Sequence, residues 1–222
     1  MSAAVFCDVD GTLIGVSVPR VSIAIAREMG LISRSRLLKI GLLRLLLGIA
    51  PKRFEKNLAL RMVGAAIEDH PREVIDQVIQ KALPQLQQHI KPKTLAKLQG
   101  HQKFGLPLIL LSGGMHESIE SLAAPLNARG EGTHFVISNG HYTAVVSGIA
   151  SVGDGKAARA RLIAAECGYD LAQSFAYADS ASDIPFLSLF GHPTAVDPDP
   201  KLRTHAEKHG WQILRHDTIA FS

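Results

Sequence analysis

The chain has 222 residues, 46% of them hydrophobic and 20% charged, with a formal net charge of +4. That length fits one domain, or one domain carrying an insertion, and the composition excludes a disordered or collagen-like chain. Only Cys7 and Cys167 are present, which excludes a disulfide framework and a cysteine-based zinc cluster, and so small a positive surplus does not argue for nucleic acid.

Ala3 to Cys7 is a short apolar run before Asp8, and Gly11-Thr12 follows, as when a buried strand enters a turn. Residues 17–90 hold four glycines and show apolar residues at helical spacing, which predicts an insertion made of helices. Its stretch 37–50, LLKIGLLRLLLGIA, is 14 residues long and contains Lys39 and Arg44. A bilayer span needs roughly 20 apolar residues, so this stretch reads as a buried helix rather than an interfacial one. The other Arg and Lys residues of the insertion read as a solvated face. Val74, Ile75, Val78, Ile79, Leu83, Leu86 and Ile90 mark one helix face that begins near Asp69 and Pro71, and Pro84 is expected to kink or end it.

From Lys91-Pro92 onward the pattern alternates. It predicts a helix over 94–104, a strand over 106–111 ending at Ser112-Gly113-Gly114, and a helix over 115–126. A hairpin over 134–138 and 142–146 turns at Asn139-Gly140. Then come a helix over 155–167, a strand over 174–178, a helix over 181–189, a strand over 194–196, a helix over 201–209 and a last strand over 211–214. Such alternation predicts an α/β fold with a mostly parallel sheet. The start, MSAAVFCDVDG, places two acids within ten residues, unlike a secretory signal, and a cytoplasmic protein is expected.

Parallel sheets bind ligands beyond the carboxyl ends of their strands. The residues at those ends are Asp8, Asp10, Gly11 and Thr12, then Ser112, Gly113 and Gly114, then Asp179 and Asp183, with Lys156 opening a helix. Carboxylates crowded into one crevice raise one another's pKa unless a cation balances them. Oxygen ligands without His or Cys suit a hard divalent ion, Mg²⁺ first. A Ser-Gly-Gly turn entering a helix offers a hydroxyl and amides to a phosphate, and Lys156 adds a point charge. A metal, an anion cradle and a spare carboxylate are the parts of phosphoryl transfer, in which a carboxylate can serve as nucleophile.

The segment Val5-Phe6-Cys7-Asp8-Val9-Asp10-Gly11-Thr12-Leu13 resembles the first signature of the haloacid dehalogenase superfamily. Ser112 resembles the second, Lys156 the third and Ala178-Asp179-Ser180-Ala181-Ser182-Asp183 the fourth. The helical insertion and the Lys91-Pro92 return resemble the phosphoserine-phosphatase-like branch. The resemblance implies a Rossmann-like core over 1–16 and 91–222 with an inserted α-helical cap over 17–90. It implies a Mg²⁺-dependent phosphatase acting on a small phosphomonoester through an aspartyl-phosphate. Asp8 would be the nucleophile. Asp10 would be the acid and base, its backbone carbonyl also reaching the metal. Ser112, Gly113, Lys156 and the helper Thr12 would hold the phosphate, and Asp8, Asp10, Asp179 and Asp183 would form the metal site.

Two departures matter. Ala178, Ser180 and Ser182 replace the usual Gly, Gly and Asn of the fourth signature, which keeps small residues and both acids. Ser17 stands where phosphoserine phosphatases carry a Glu that binds the substrate amine, so free phosphoserine is not expected as the substrate. A phosphotransferase and a lipid-phosphate phosphatase share the same catalytic residues. A catalytically silent phosphate-binding protein is the non-enzyme alternative. The expected partner is a small phosphorylated metabolite, with no nucleic acid and no membrane contact, in a monomer or homodimer.

Overall fold

Strand β1 (Val5–Cys7) is buried along its whole length, and so lies at the centre of a sheet rather than at its edge. In the computed structural model, which describes residues 2–33, 35, 36, 38, 40–42, 45 and 52–216 (backbone alone for 52–59), it pairs in parallel with two neighbours. These are β2 (Leu108–Met115) and β6 (Phe175–Ala178). Outside β2 lies β3 (Arg129–Thr133), and outside β6 lie β7 (His192–Val196) and β8 (Gln212–Leu214). The sheet is six-stranded, ordered β3-β2-β1-β6-β7-β8, and every pairing is parallel. This is the expected α/β fold. The strand order changes direction between β1 and β6, which opens a crevice at their carboxyl ends.

Side chains alternate across the sheet because successive Cβ atoms point to opposite faces. Val5, Cys7, Leu108 and Leu110 enter one apolar layer, closed by helices α4 (Pro92–Lys103) and α5 (His116–Ala123) through Leu98, Ile119 and Leu122. Phe6, Ile109, Leu111, Ala176 and Ala178 enter the other, closed by α6 (Asp154–Cys167), α7 (Ile184–Leu187) and α8 (Pro200–Lys208) through Ile163, Phe186 and Leu202.

The chain leaves the sheet at residues 13–15 and returns at 89–91, and the two passes are paired. Gly15 donates to His89 and Lys91 to Leu13, at 2.9 and 2.8 Å. Between them lie α1 (Val18–Glu28), α2 (Lys52–Ile67) and α3 (Arg72–Gln88). A separate hairpin, β4 (Phe135–Ser138) and β5 (His141–Val146), packs on these helices, with Phe135 and Tyr142 meeting Leu60, Val63, Ile67, Ile75 and Ile79. Gly64 permits the approach: a Cβ there would lie 3.1 Å from the Ala144 carbonyl. Asn139 and Gly140 both have positive φ, 51° and 77°, as the two-residue turn requires.

Three expectations need correction. Pro84 neither ends nor interrupts α3. It lies on the exposed face with Gln80, where water can take the carbonyl that proline leaves unpaired. Ser112-Gly113-Gly114 is not a turn but the continuation of β2. The stretch 37–50 is not a buried helix where it is described: Leu38, Leu42 and Leu45 are 76%, 58% and 67% exposed on one side, while Ile40 faces inward. Residues 37, 39, 43, 44 and 46–50 of that stretch lie outside the described residues. Of the basic residues in the insertion, Arg20, Arg27 and Arg61 are exposed as expected, and Arg36 pairs with Asp69 at 3.0 Å.

Strand β3 has no sequence signal of its own, since Arg129-Gly130-Glu131-Gly132-Thr133 lacks apolar alternation. Its glycines let α5 lie against it. A Cβ on Gly130 would come within 2.5 Å of the Glu120 backbone, and one on Gly132 would meet the His116 backbone. Gly130→Ala should therefore destabilise the protein by about 1–3 kcal/mol, read by urea unfolding; no loss would mean that α5 is free to shift.

Candidate active site

The site is built where β1 and β6 end side by side. Asp8 follows β1, and its amide still donates to Tyr177 of β6 at 2.9 Å. The chain then turns sharply at Gly11, whose φ is +82° and whose missing Cβ leaves space that the Asp179 carboxylate occupies. Asp179 follows β6 directly, and Asp183 lies one short turn later. Lys156 is in the first turn of α6 and reaches the same point from the other side.

The centre is an ion cluster. Lys156 Nζ donates to Asp8 Oδ1 at 2.5 Å and to Asp183 Oδ1 at 3.1 Å, and all three residues are buried. Thr12 Oγ1 lies 3.0 Å from Asp8 Oδ2 and 3.1 Å from Asp179 Oδ1. One hydroxyl has one proton, so it serves both carboxylates fully only when one of them is protonated. The expected phosphate helper Thr12 is thus fully buried and engaged with carboxylates, away from the open crevice.

Asp10 is held differently. Its Oδ1 accepts from the Val18 amide at 2.5 Å, taking up a free N–H at the start of α1, where a carboxylate is favoured. Its Oδ2 accepts from Ser112 Oγ at 3.2 Å, and Ser112 Oγ accepts from the Gly114 amide at 3.1 Å. Asp8, Asp10, Ser112, Gly113, Lys156, Asp179 and Asp183 line one crevice, as expected from their strand ends.

Burial raises Asp10 to about 6, the Asp8 charge adding to the rise while the Val18 and Ser112 hydrogen bonds oppose it. Burial, then the Asp8 and Asp183 charges, raise Asp179 to about 7. Asp8 is raised by burial against the pull of Lys156. For Lys156, burial alone would lower the pKa, but Asp183 and Asp8 together outweigh it and hold the ammonium above its usual range.

Asp8, Asp179 and Asp183 each offer a carboxylate oxygen, all within 4.8 Å of one another. Three carboxylates against one ammonium leave negative charge that a cation would balance, and the oxygen-only donor set fits a hard divalent ion. The Asp10 carboxylate is not in this group, being occupied by Val18 and Ser112. A second cluster, His116, Glu131 and His134, lies outside the crevice lining. Its Glu131 is already faced by Arg129 and Arg159 at 3.6 and 3.7 Å and by His134 at 3.0 Å, so its charge is balanced by protein cations.

Sequence reasoning missed the support beneath the turn. Lys91 Nζ donates to the Gly11 carbonyl at 2.5 Å and to Asp197 Oδ2 at 2.8 Å, and His216 bonds the same Asp197 through its ring and its amide. Asp199 accepts from the Ala181 amide and gives its own amide to the Asp179 carbonyl, steadying the loop that carries Asp179 and Asp183. These partners are 18 to 106 residues apart, and no local spacing signals them.

Residues 5–188 match the family model of haloacid dehalogenase-like hydrolases. A probable phosphatase of Mycobacterium tuberculosis (strain H37Rv) is 34% identical over 118 residues, 53% of this chain and 41% of that protein. A phosphoserine phosphatase of the same strain is 34% identical over 116 residues, 52% of this chain and 38% of that protein. The matched region thus spans about two fifths of these curated relatives. The crystal structure of a protein with unknown function from Bordetella pertussis Tohama I aligns with a TM-score of 0.81 at 21% identity, over 96% of this chain and 98% of that one, and shows the same fold.

Two outcomes follow from the charge balance. Lys156→Met leaves buried carboxylates without their partner and should cost about 3–5 kcal/mol in metal-free protein, measured by chemical denaturation. Asp179 and Asp10 bind protons in the folded protein at pH values where the unfolded chain has released them. Metal-free protein should therefore lose stability as pH rises from the unfolded carboxylate range near ~4 to about 7. Melting curves in EDTA across this range should show Asp179→Asn gaining on the parent as pH rises, and Mg²⁺ should erase the difference. A difference independent of pH would remove Asp179 from the balance.

Proposed function

The chain belongs to the haloacid dehalogenase-like hydrolase family, and on that premise we propose that it is a Mg²⁺-dependent phosphatase of small phosphomonoesters working through an aspartyl-phosphate. The observation that carries this reading is the buried Asp8 carboxylate lining the crevice, held between Lys156 and Thr12 with Asp179 and Asp183 beside it.

In this reading Lys156 keeps Asp8 ionised despite its burial, and Asp8 attacks the phosphorus. The bond from phosphorus to the alcohol oxygen breaks as the new acyl-phosphate bond forms. Asp10, raised to about 6, donates a proton to the departing alcohol oxygen. It then accepts a proton from the water that attacks the phosphorus, and phosphate leaves as Asp8 is regenerated. Ser112, the Gly113 amide and Lys156 hold the phosphoryl oxygens. Mg²⁺ held by Asp8, Asp179, Asp183 and the Asp10 carbonyl would neutralise phosphoryl charge.

The residues 17–90 act as a cap over a core formed by 1–16 and 91–222, and the core hairpin 135–146 packs on them. Asp10 ties the two together, because its carboxylate also starts α1. Phosphoserine is disfavoured: Ser17 lines the crevice where an amine-binding acid would be needed. No helix among the described residues is long and apolar enough to cross a membrane, and the exposed free thiol of Cys167 fits a reducing, cytoplasmic setting.

Phosphate release from an aryl phosphate should need Mg²⁺, vanish in Asp8→Asn, and fall about 10²–10⁴-fold in Asp10→Asn. Quenched turnover of labelled substrate should leave a hydroxylamine-sensitive label on the protein, absent from Asp8→Asn. Undiminished release from Asp8→Asn would overturn the mechanism. Release that rises with added alcohols as acceptors, and yields their phosphates in preference to free phosphate, would identify a transferase instead.

A further inference from the structure

We propose that the insertion rests on an anionic membrane surface, and that Leu38, Leu42 and Leu45 are residues that enter it. The proposal does not depend on the phosphatase reading. The expected absence of membrane contact presumed that the stretch 37–50 is a buried helix, and the exposed leucines remove that premise. The described residues 35, 36, 38, 40–42 and 45 are helical. Steps of four and three residues place Leu38, Leu42 and Leu45 on one face, and each is more than half exposed. The other side is anchored. Ile40 is buried in the apolar cluster that includes Ile32 and Val78. Arg36 donates to Asp69 at 3.0 Å and meets the His70 ring at 2.8 Å. These contacts fix which way the helical residues face and hold the leucines outward. Ser35 and Gly41 lie on the same exposed side, and a Cβ on Gly41 would meet nothing within 4 Å. A single exposed leucine is ordinary, but a face of them marks a contact surface.

The charge of the segment says what lies against that face. Residues 29–54 contain Arg34, Arg36, Lys39, Arg44, Lys52 and Arg53, and no acid. The insertion 17–90 holds twelve Lys and Arg against six Asp and Glu, whereas the rest of the chain holds twelve against fourteen. The positive surplus of the protein therefore resides in the insertion. Leucines within a basic, acid-free segment are the composition of a helix that lies in a lipid interface. Their hydrocarbon enters the acyl boundary, while long basic side chains reach the lipid phosphates. A second copy docked face to face would set the same basic segment against itself, which the charges oppose. A stretch of 14 residues is too short to span a bilayer, so the segment lies on the surface.

The test is flotation of the purified protein with vesicles of phosphatidylcholine alone, or of phosphatidylcholine mixed with phosphatidylglycerol, at low and at high salt. The protein should float with the anionic vesicles only, and salt should release it. Leu42→Ser combined with Leu45→Ser should weaken that binding by at least about tenfold. Both side chains are exposed, so the thermal midpoint of the variant and its phosphate release from a soluble aryl phosphate should match the parent. Flotation needs no turnover, so a protein that floats but releases no phosphate would uphold the surface and overturn the phosphatase reading. Failure to float with anionic vesicles, or flotation that the paired Ser variant leaves unchanged, would overturn the proposal. So would equal, salt-independent binding to both vesicle types. Self-association in solution that the paired variant abolishes, without vesicle binding, would overturn it in favour of a second copy of the chain.

Discussion

A buried ammonium shared by two buried carboxylates is the constraint on which this site depends. Lys156, Asp8 and Asp183 could not remain charged in that position separately, because each would lose its hydration without replacement. Together they are tolerated, and their geometry dictates much else. The first turn of α6 must enter beside the ends of β1 and β6. Gly11 must lack a side chain so that Asp179 can stand next to Asp8. Thr12 must supply its one proton to a pair of carboxylates. The cluster remains short of positive charge, and the raised pKa of Asp179 expresses that deficit. The same deficit makes the site suited to a divalent cation and, with it, to a phosphoryl group.

Around this centre the scaffold divides its tasks. Lys91, Asp197 and His216 brace the Gly11 carbonyl from beneath. Asp199 braces the loop after β6. Asp10 belongs to neither group: one of its oxygens receives the first amide of α1 and the other the hydroxyl of Ser112. A carboxyl placed there touches both the insertion and the Ser112 end of β2. The protonation of Asp10 and the position of α1 are thereby linked through a single side chain, since the Val18 amide helps hold its pKa down. The two passes of chain at 13–15 and 89–91 are hydrogen-bonded to each other close to the site.

The two sides of the crevice come from different parts of the chain. The carboxylates, Ser112 and Lys156 come from strand ends and the start of α6, while the described residues of the insertion that face them are Ser17, Pro19, Leu60 and Val63.

How much of this was legible beforehand depended on the range of the interaction. Asp8, Asp10 and Thr12, Ser112 and Gly113, Lys156, and Asp179 and Asp183 could be picked out because each follows a buried apolar run or opens a helix. Strand alternation and turn chemistry act over a few residues and are written in adjacent letters. The same local logic located the Asn139-Gly140 hairpin. It failed where burial is decided by a distant neighbour. Strand β3 has no apolar pattern because its glycines exist to admit α5. Pro84 is accepted inside α3 because its face is exposed. Leu38, Leu42 and Leu45 face outward although their sequence reads as core. The α/β fold and the inventory of charged groups at the strand ends were written in local pattern. Packing had to place the Asp10 carboxylate at the start of α1 and Lys91 against Gly11 and Asp197, because those contacts join residues whose proximity is set by separate elements.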